Sequence, residues 1–114
     1  MKKVLLTIAG DHVAPRFDLA TDVLIAKIDH GEVVSRKTLV LPAPSAEQMC
    51  QLVLSEGADL VVCGGIENEY YQYLNWKGVK VADSVIASFE QALSLAARGA
   101  LEPGAILLRP NETI

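Results

Sequence analysis

Basic residues are in short supply in this chain: ten lysines and arginines face fourteen aspartates and glutamates, giving a net charge of -4 over 114 residues. A general nucleic-acid binder neutralises phosphates with a basic face, and this composition argues against one. Cysteine is scarce as well. Cys50 and Cys63 fall short of a disulfide framework and their spacing fits no zinc motif, so both thiols are expected to be reduced. No apolar run approaches the length of a membrane span. Also missing are acidic residues along Val4 to Ala9, a phosphate loop, a nucleophile elbow and a complete dinucleotide fingerprint. No catalytic constellation is visible without them. The chain therefore reads as a binder and not an enzyme, with no nuclease or nucleotide-hydrolysing activity.

What is present is an ordinary globular composition, 51% apolar and 21% charged, at a length that suits one domain. Met1-Lys2-Lys3 followed by Val4 to Ala9 resembles the start of a signal peptide. The run is short, however, and meets Gly10-Asp11-His12 in place of a small-residue cleavage site, so it is read as a buried first strand of a cytoplasmic protein.

Beyond the polar stretch Gly10 to Asp18, two β-branched-rich runs, Asp22 to Ile28 and Glu32 to Leu41, flank Asp29-His30-Gly31, which is a hairpin signal. Pro42-Ala43-Pro44 stops the second run. Ser45 with Gln48 then forms a capping box for a helix that Gly57 closes, with Ala46, Met49, Cys50 and Val53 on its apolar face. Leu60 to Cys63 is the next strand. A second helix carries Tyr70, Tyr73, Leu74 and Lys77 on one face, a short strand covers Val79 to Ala82, and Ser88 with Gln91 opens a third helix striped by Phe89, Ala92, Leu93, Ala96 and Ala97. Helices alternating with strands imply right-handed crossovers. The expected fold is a three-layer α/β domain with a mixed five-stranded sheet over residues 1–101. Residues 102–114 form a C-terminal extension whose Ala105-Ile106-Leu107-Leu108 is expected to pack as an extra edge strand or in a subunit contact.

Val61-Val62-Cys63-Gly64-Gly65-Ile66 is the most informative segment, because ligands settle beyond the carboxyl ends of parallel strands. A cysteine followed by two glycines there combines a soft sulfur donor with backbone that a ligand can approach closely. The first strand is expected to be central and to border this one, so that His12 and the Gly64-Gly65 turn share one crevice. Cys63 then reads either as a thiolate ligand for a soft metal or as a small apolar residue ending a buried strand. His12 reads as a metal ligand oriented by Asp11 or as a solvated loop residue. Arg16 either clamps an anion or pins the loop through Asp18 or Asp22. Gly64 and Gly65 either present N–H groups to a ligand or mark a tight turn. Cys50 reads as packing, His30 as a solvated turn residue, and Tyr70, Tyr71, Tyr73 and Trp76 as a packed helix face or an interface.

Val13-x-x-Arg16-Phe17-Asp18, the hairpin at Gly31 to Val34, Val61 to Ile66 and Lys77-Gly78-Val79-Lys80-Val81 together resemble the dinitrogenase iron-molybdenum cofactor biosynthesis family. The resemblance implies a ribonuclease-H-like fold and, in the nitrogenase accessory branch, binding or transfer of an iron-molybdenum cofactor or its precursor. This chain has Arg16-Phe17 where that branch has histidine then phenylalanine, and Glu67-Asn68-Glu69-Tyr70-Tyr71 where the family has glycine and small residues. The resulting expectation is a non-enzymatic carrier that holds a molybdenum, iron or copper–sulfur cluster weakly, with Cys63 and His12 as metal ligands and Arg16, Gly64 and Gly65 as further contacts. Donor or acceptor proteins would be its partners, and the extension or the aromatic helix would serve any homo-oligomer. The alternative is a small-anion binding or protein-interaction module that uses the same scaffold without metal.

Overall fold

The computed structural model describes residues 1–107. Its strands and helices are β1 (Lys2–Ala9), β2 (His12–Val13), β3 (Asp22–Asp29), β4 (Glu32–Val40), α1 (Ala46–Glu56), β5 (Leu60–Val62), α2 (Asn68–Trp76), β6 (Lys80–Ala82) and α3 (Phe89–Ala97). They build a mixed α/β fold around one six-stranded sheet in the order β4-β3-β1-β5-β6, with β2 paired to β1 off this path. The hairpin half is antiparallel, while β1, β5 and β6 run parallel. β1 is therefore the strand where the chain's direction of travel across the sheet reverses, the position that favours a ligand site in open sheets.

Alternation along β1 divides the core. Leu5 faces α1 and α2 in a cluster with Val23, Ile25, Met49, Val53, Val61 and Leu74, whereas Val4 and Leu6 face α3 in a cluster with Leu24, Ala26, Val62, Ala92 and Leu93. Thr7 follows Leu5 by two residues and pairs with Val23, which puts it on the α1/α2 face. It is fully buried, and among the described residues its Oγ1 has no hydrogen-bond partner. A hydroxyl that gives up water without replacement destabilises the fold. Thr7→Val keeps the shape and removes the hydroxyl, so it is expected to raise stability by roughly 1–3 kcal/mol. A urea midpoint that does not rise would show that the hydroxyl is satisfied.

Local chemistry explains most boundaries. His30 (φ 50) and Gly31 (φ 78) form a two-residue turn with both residues left-handed, the type that matches strand twist. Ser45 Oγ accepts from the Gln48 N–H at 3.1 Å. Ser88 Oγ accepts from the Gln91 N–H at 3.2 Å and its hydroxyl donates to Gln91 Oε1 at 3.1 Å, so the cap is held by a backbone and a side-chain bond. The outer strand β4 carries ion pairs on both faces: Arg36 Nη1 to Glu90 Oε1 of α3 at 2.9 Å, which is exposed, and Lys37 Nζ to the half-buried Glu56 Oε1 of α1 at 3.0 Å.

Three sequence expectations need adjustment. The stretch read as a polar loop contains β2, because the chain reverses at Gly10 and lays His12 and Val13 back against Ala9 and Ile8. On α2 only Leu74 is fully buried; Tyr73 and Trp76 are exposed, since the helix rests on its neighbours along a narrow stripe. The tail forms a single parallel bridge between Ile86 and Ile106, and Leu108 lies outside the described residues.

Candidate functional site

The carboxyl ends of β1 and β5 are adjacent, as expected, but no open crevice separates the loops that follow them. Residues Ala14 to Phe17 form a strap bonded directly to the glycine pair. The Ala14 N–H donates to Thr7 O at 2.8 Å, Gly64 N–H to Ala14 O at 3.1 Å, Gly65 N–H to Pro15 O at 2.8 Å, and Phe17 N–H to Gly65 O at 2.9 Å. On the far side Ser84 N–H donates to Gly64 O and Val85 N–H to Cys63 O, so the segment from Cys63 to Gly65 is bonded along both edges.

This zipper gives the glycines a role that the sequence left open. A Cβ on Gly64 would lie 2.3 Å from Pro15 O and 2.5 Å from Ala14 O, distances that real Cβ atoms do not show. At Gly65 the nearest approach is an ordinary 3.6 Å. The expectation that both N–H groups face a ligand is corrected here: both donate to the strap.

Cys63 is fully buried in the α1/α2 cluster with Ala14 and Phe17, so its thiol does not face solvent in the closed arrangement. Burial, with the charge of Asp83 second, pushes its thiol up to about 12. Cys50, on the core face of α1, is pushed up to about 11 by burial and then by Glu47. Both groups hold their protons longer folded than unfolded. Their contribution to stability is complete below the ordinary value of 9.0 and is lost as pH rises toward about 11 and 12. The urea midpoint is therefore expected to fall above pH 9, and to fall less steeply in a protein carrying Cys50→Ala and Cys63→Ala.

Arg16 makes a forked pair with Asp18, Nε to Oδ1 at 3.0 Å and Nη2 to Oδ2 at 2.8 Å, the loop-pinning alternative of the two considered. His12 is exposed on β2, opposite Ser88. Asp11 is also exposed, and its carbonyl accepts from Phe89 N–H. The fold thus gathers the strap, the glycines and Cys63, but leaves His12 on the surface while Cys63 is sealed beneath it. Among the described residues no group of three or more His, Cys, Asp or Glu is placed to hold a metal ion.

The dinitrogenase iron-molybdenum cofactor model matches residues 1–99. The chain belongs to that family. Solved structures share its fold at low identity. The structure of PH0822 matches it with a TM-score of 0.80 at 18% identity, covering 89% of this chain and 93% of that one. A Methanocaldococcus jannaschii protein described as a candidate dinitrogenase gives 0.73 at 23% identity, covering 88% and 91%. The apo form of the orange protein from Desulfovibrio gigas gives 0.71 at 19% identity, covering 90% and 92%. No curated protein matches the chain in sequence.

Sequence reasoning missed two features. One is the orphaned hydroxyl of Thr7, which looked like any strand residue. The other is an open groove of about 400 Å³ between α1 and α2, lined by Glu47, Cys50, Gln51, Glu69, Tyr70 and Tyr73. Partial burial, then Glu69, Glu47 and Glu67, raise the Tyr70 phenol, so the groove is acidic. Its residues come from two helices, and only the packing of those helices reveals it.

Proposed function

We propose that this family member is a non-enzymatic carrier that takes up and releases a metal–sulfur cluster of the iron-molybdenum cofactor type, weakly held at the carboxyl ends of β1 and β5. One observation carries the reading: in a chain of this family, a thiol ends the parallel strand beside the strand where the sheet's winding reverses. Soft metals select thiolate, so Cys63 is the metal ligand. Arg16, on the exposed strap, supplies charge to an anionic cargo, and His12 a surface imidazole. Among the described residues no complete ligand set is gathered, and a site with few protein ligands suits a protein that must give its cargo up. Cluster donors and acceptors are its partners in the cytoplasm, and among the described residues no helix is long and apolar enough to cross a membrane.

The test is to titrate apo protein anaerobically with thiomolybdate plus copper, or with extracted cofactor, and to follow visible absorbance. Wild type is expected to acquire a chromophore that Cys63→Ser abolishes and that His12→Ala and Arg16→Ala weaken. A wild type that stays colourless, or variants that all match it, would replace this reading with a second one. That second reading is an interaction module working without metal, and it is favoured by the 77% exposure of Trp76 beside Tyr73 on α2.

A further inference from the structure

The open groove of about 400 Å³ between α1 and α2 brings the first turns of the two helices together. Each turn carries an exposed carboxylate, Glu47 on α1 and Glu69 on α2, and Glu67 stands at the N-cap of α2 without a side-chain capping bond. Acids at such positions offset helix dipoles. Two helix ends together present only about one positive charge unit, however, so three carboxylates leave the groove negative. Among the described residues none of the three forms an ion pair, and no lysine or arginine lines the groove.

Two observations independent of those carboxylates say what the groove accepts. Tyr70 and Tyr73 line it, and Tyr73 lies against Trp76 with ring centroids 6.3 Å apart. On that pair the chain already seats a cation of its own: Lys77 Nζ is 4.8 Å from the Trp76 ring centroid and 5.8 Å from that of Tyr73, inside the reach of a cation–π attraction. From α1 comes Cys50, only 4% exposed, whose thiol makes no hydrogen bond among the described residues. With no group of three or more His, Cys, Asp or Glu placed to hold a metal ion among those residues, the groove suits a cation that brings its own hydrogen-bond donors. Its volume lies within the range of about 300–1,000 Å³ that binding sites occupy. It is open, though, and continues through Tyr73 onto Trp76, which is 77% exposed. Exposed aromatics beside a charged groove are the composition of a protein contact, and a planar guanidinium both forks to a carboxylate and stacks on a ring.

We propose that the α1–α2 groove is the docking site for an arginine-bearing segment of a partner protein. Glu47 and Glu69 pair with its guanidinium groups, Tyr70 and Tyr73 stack against them, and Trp76 extends the contact beyond the groove. This goes beyond the carrier reading and requires neither Cys63 nor a cargo.

Trp76 is the one tryptophan of the chain, so its emission reports on the site. Apo wild type at low salt is titrated with an acetylated tetra-arginine amide, and in parallel with free arginine and with tetramethylammonium. The peptide is expected to change Trp76 emission saturably, to bind at least tenfold more tightly than either small cation, and to lose affinity as salt rises. Glu47→Gln combined with Glu69→Gln is expected to weaken it tenfold or more, and Tyr73→Leu about fivefold. Glu32→Gln combined with Glu102→Gln removes the same charge from exposed positions elsewhere and is expected to change affinity less than twofold. Amide resonances shifted by the peptide are expected to cluster on α1 and α2. No saturable binding, equal losses in the two paired variants, or shifts centred on another face overturns the site. Small cations that bind as tightly as the peptide overturn the protein partner. Because no metal is present, this titration and the chromophore titration can each fail while the other stands.

Discussion

Gly64→Ala is expected to destabilise the protein by about 3 kcal/mol or more, while Gly65→Ala changes stability by less than about 1 kcal/mol. The difference comes from one close approach. At position 64 the new methyl meets two backbone carbonyl oxygens, at 2.3 and 2.5 Å, and backbone cannot rotate away as a side chain can. Relief requires the strap to move off, which breaks the Gly64-to-Ala14 and Gly65-to-Pro15 hydrogen bonds. At position 65 the contact is 3.6 Å and nothing has to move. Paired urea unfolding curves check this directly. Equal effects at the two positions would mean that the strap does not lie against Gly64 as described.

Phe17→Ala is expected to remove about 3–5 kcal/mol, the range for truncating a buried aromatic ring. Phe17 is 1% exposed and is among the largest fully buried side chains of the chain. Because typical domains are stable by only about 5–15 kcal/mol, the variant should unfold well below the urea midpoint of wild type. Phe17 and Gly64 hold the same segment, so their losses should not add. Once Gly64→Ala has displaced the strap, little of Phe17's burial remains to be lost, and the double variant should lie well short of the sum. Full additivity would show that the two residues act on separate parts of the fold.

The division between what the sequence discloses and what it hides follows the range of the interactions. The hairpin at His30-Gly31 and the caps at Ser45 and Ser88 are set by residues next to or three apart from one another, so composition and spacing reveal them. The five longer strands follow from apolar patterning and punctuation. The candidate site is different. Val61 to Gly65 can be read as a strand followed by close-approach residues, but whether the object approaching is a ligand or the chain itself depends on Pro15, which is remote in sequence. The structure shows the chain itself. Likewise Ala14, bonded to Thr7 O on one side and to Gly64 N–H on the other, joins segments remote in sequence, and no local pattern reveals it.

The zipper between the strap and the glycine pair also fixes an order of assembly. During synthesis the β1–β2 turn and the β3–β4 hairpin can form as soon as they emerge, because each pairs segments close together in the chain. Ala14 and Pro15 must wait for Gly64 and Gly65, and these in turn for Ser84 and Val85 on their other edge. The nascent protein therefore cannot bond the Cys63 to Gly65 segment along both edges until Val85 has been made, and this seam is among the last parts of the domain to come into being.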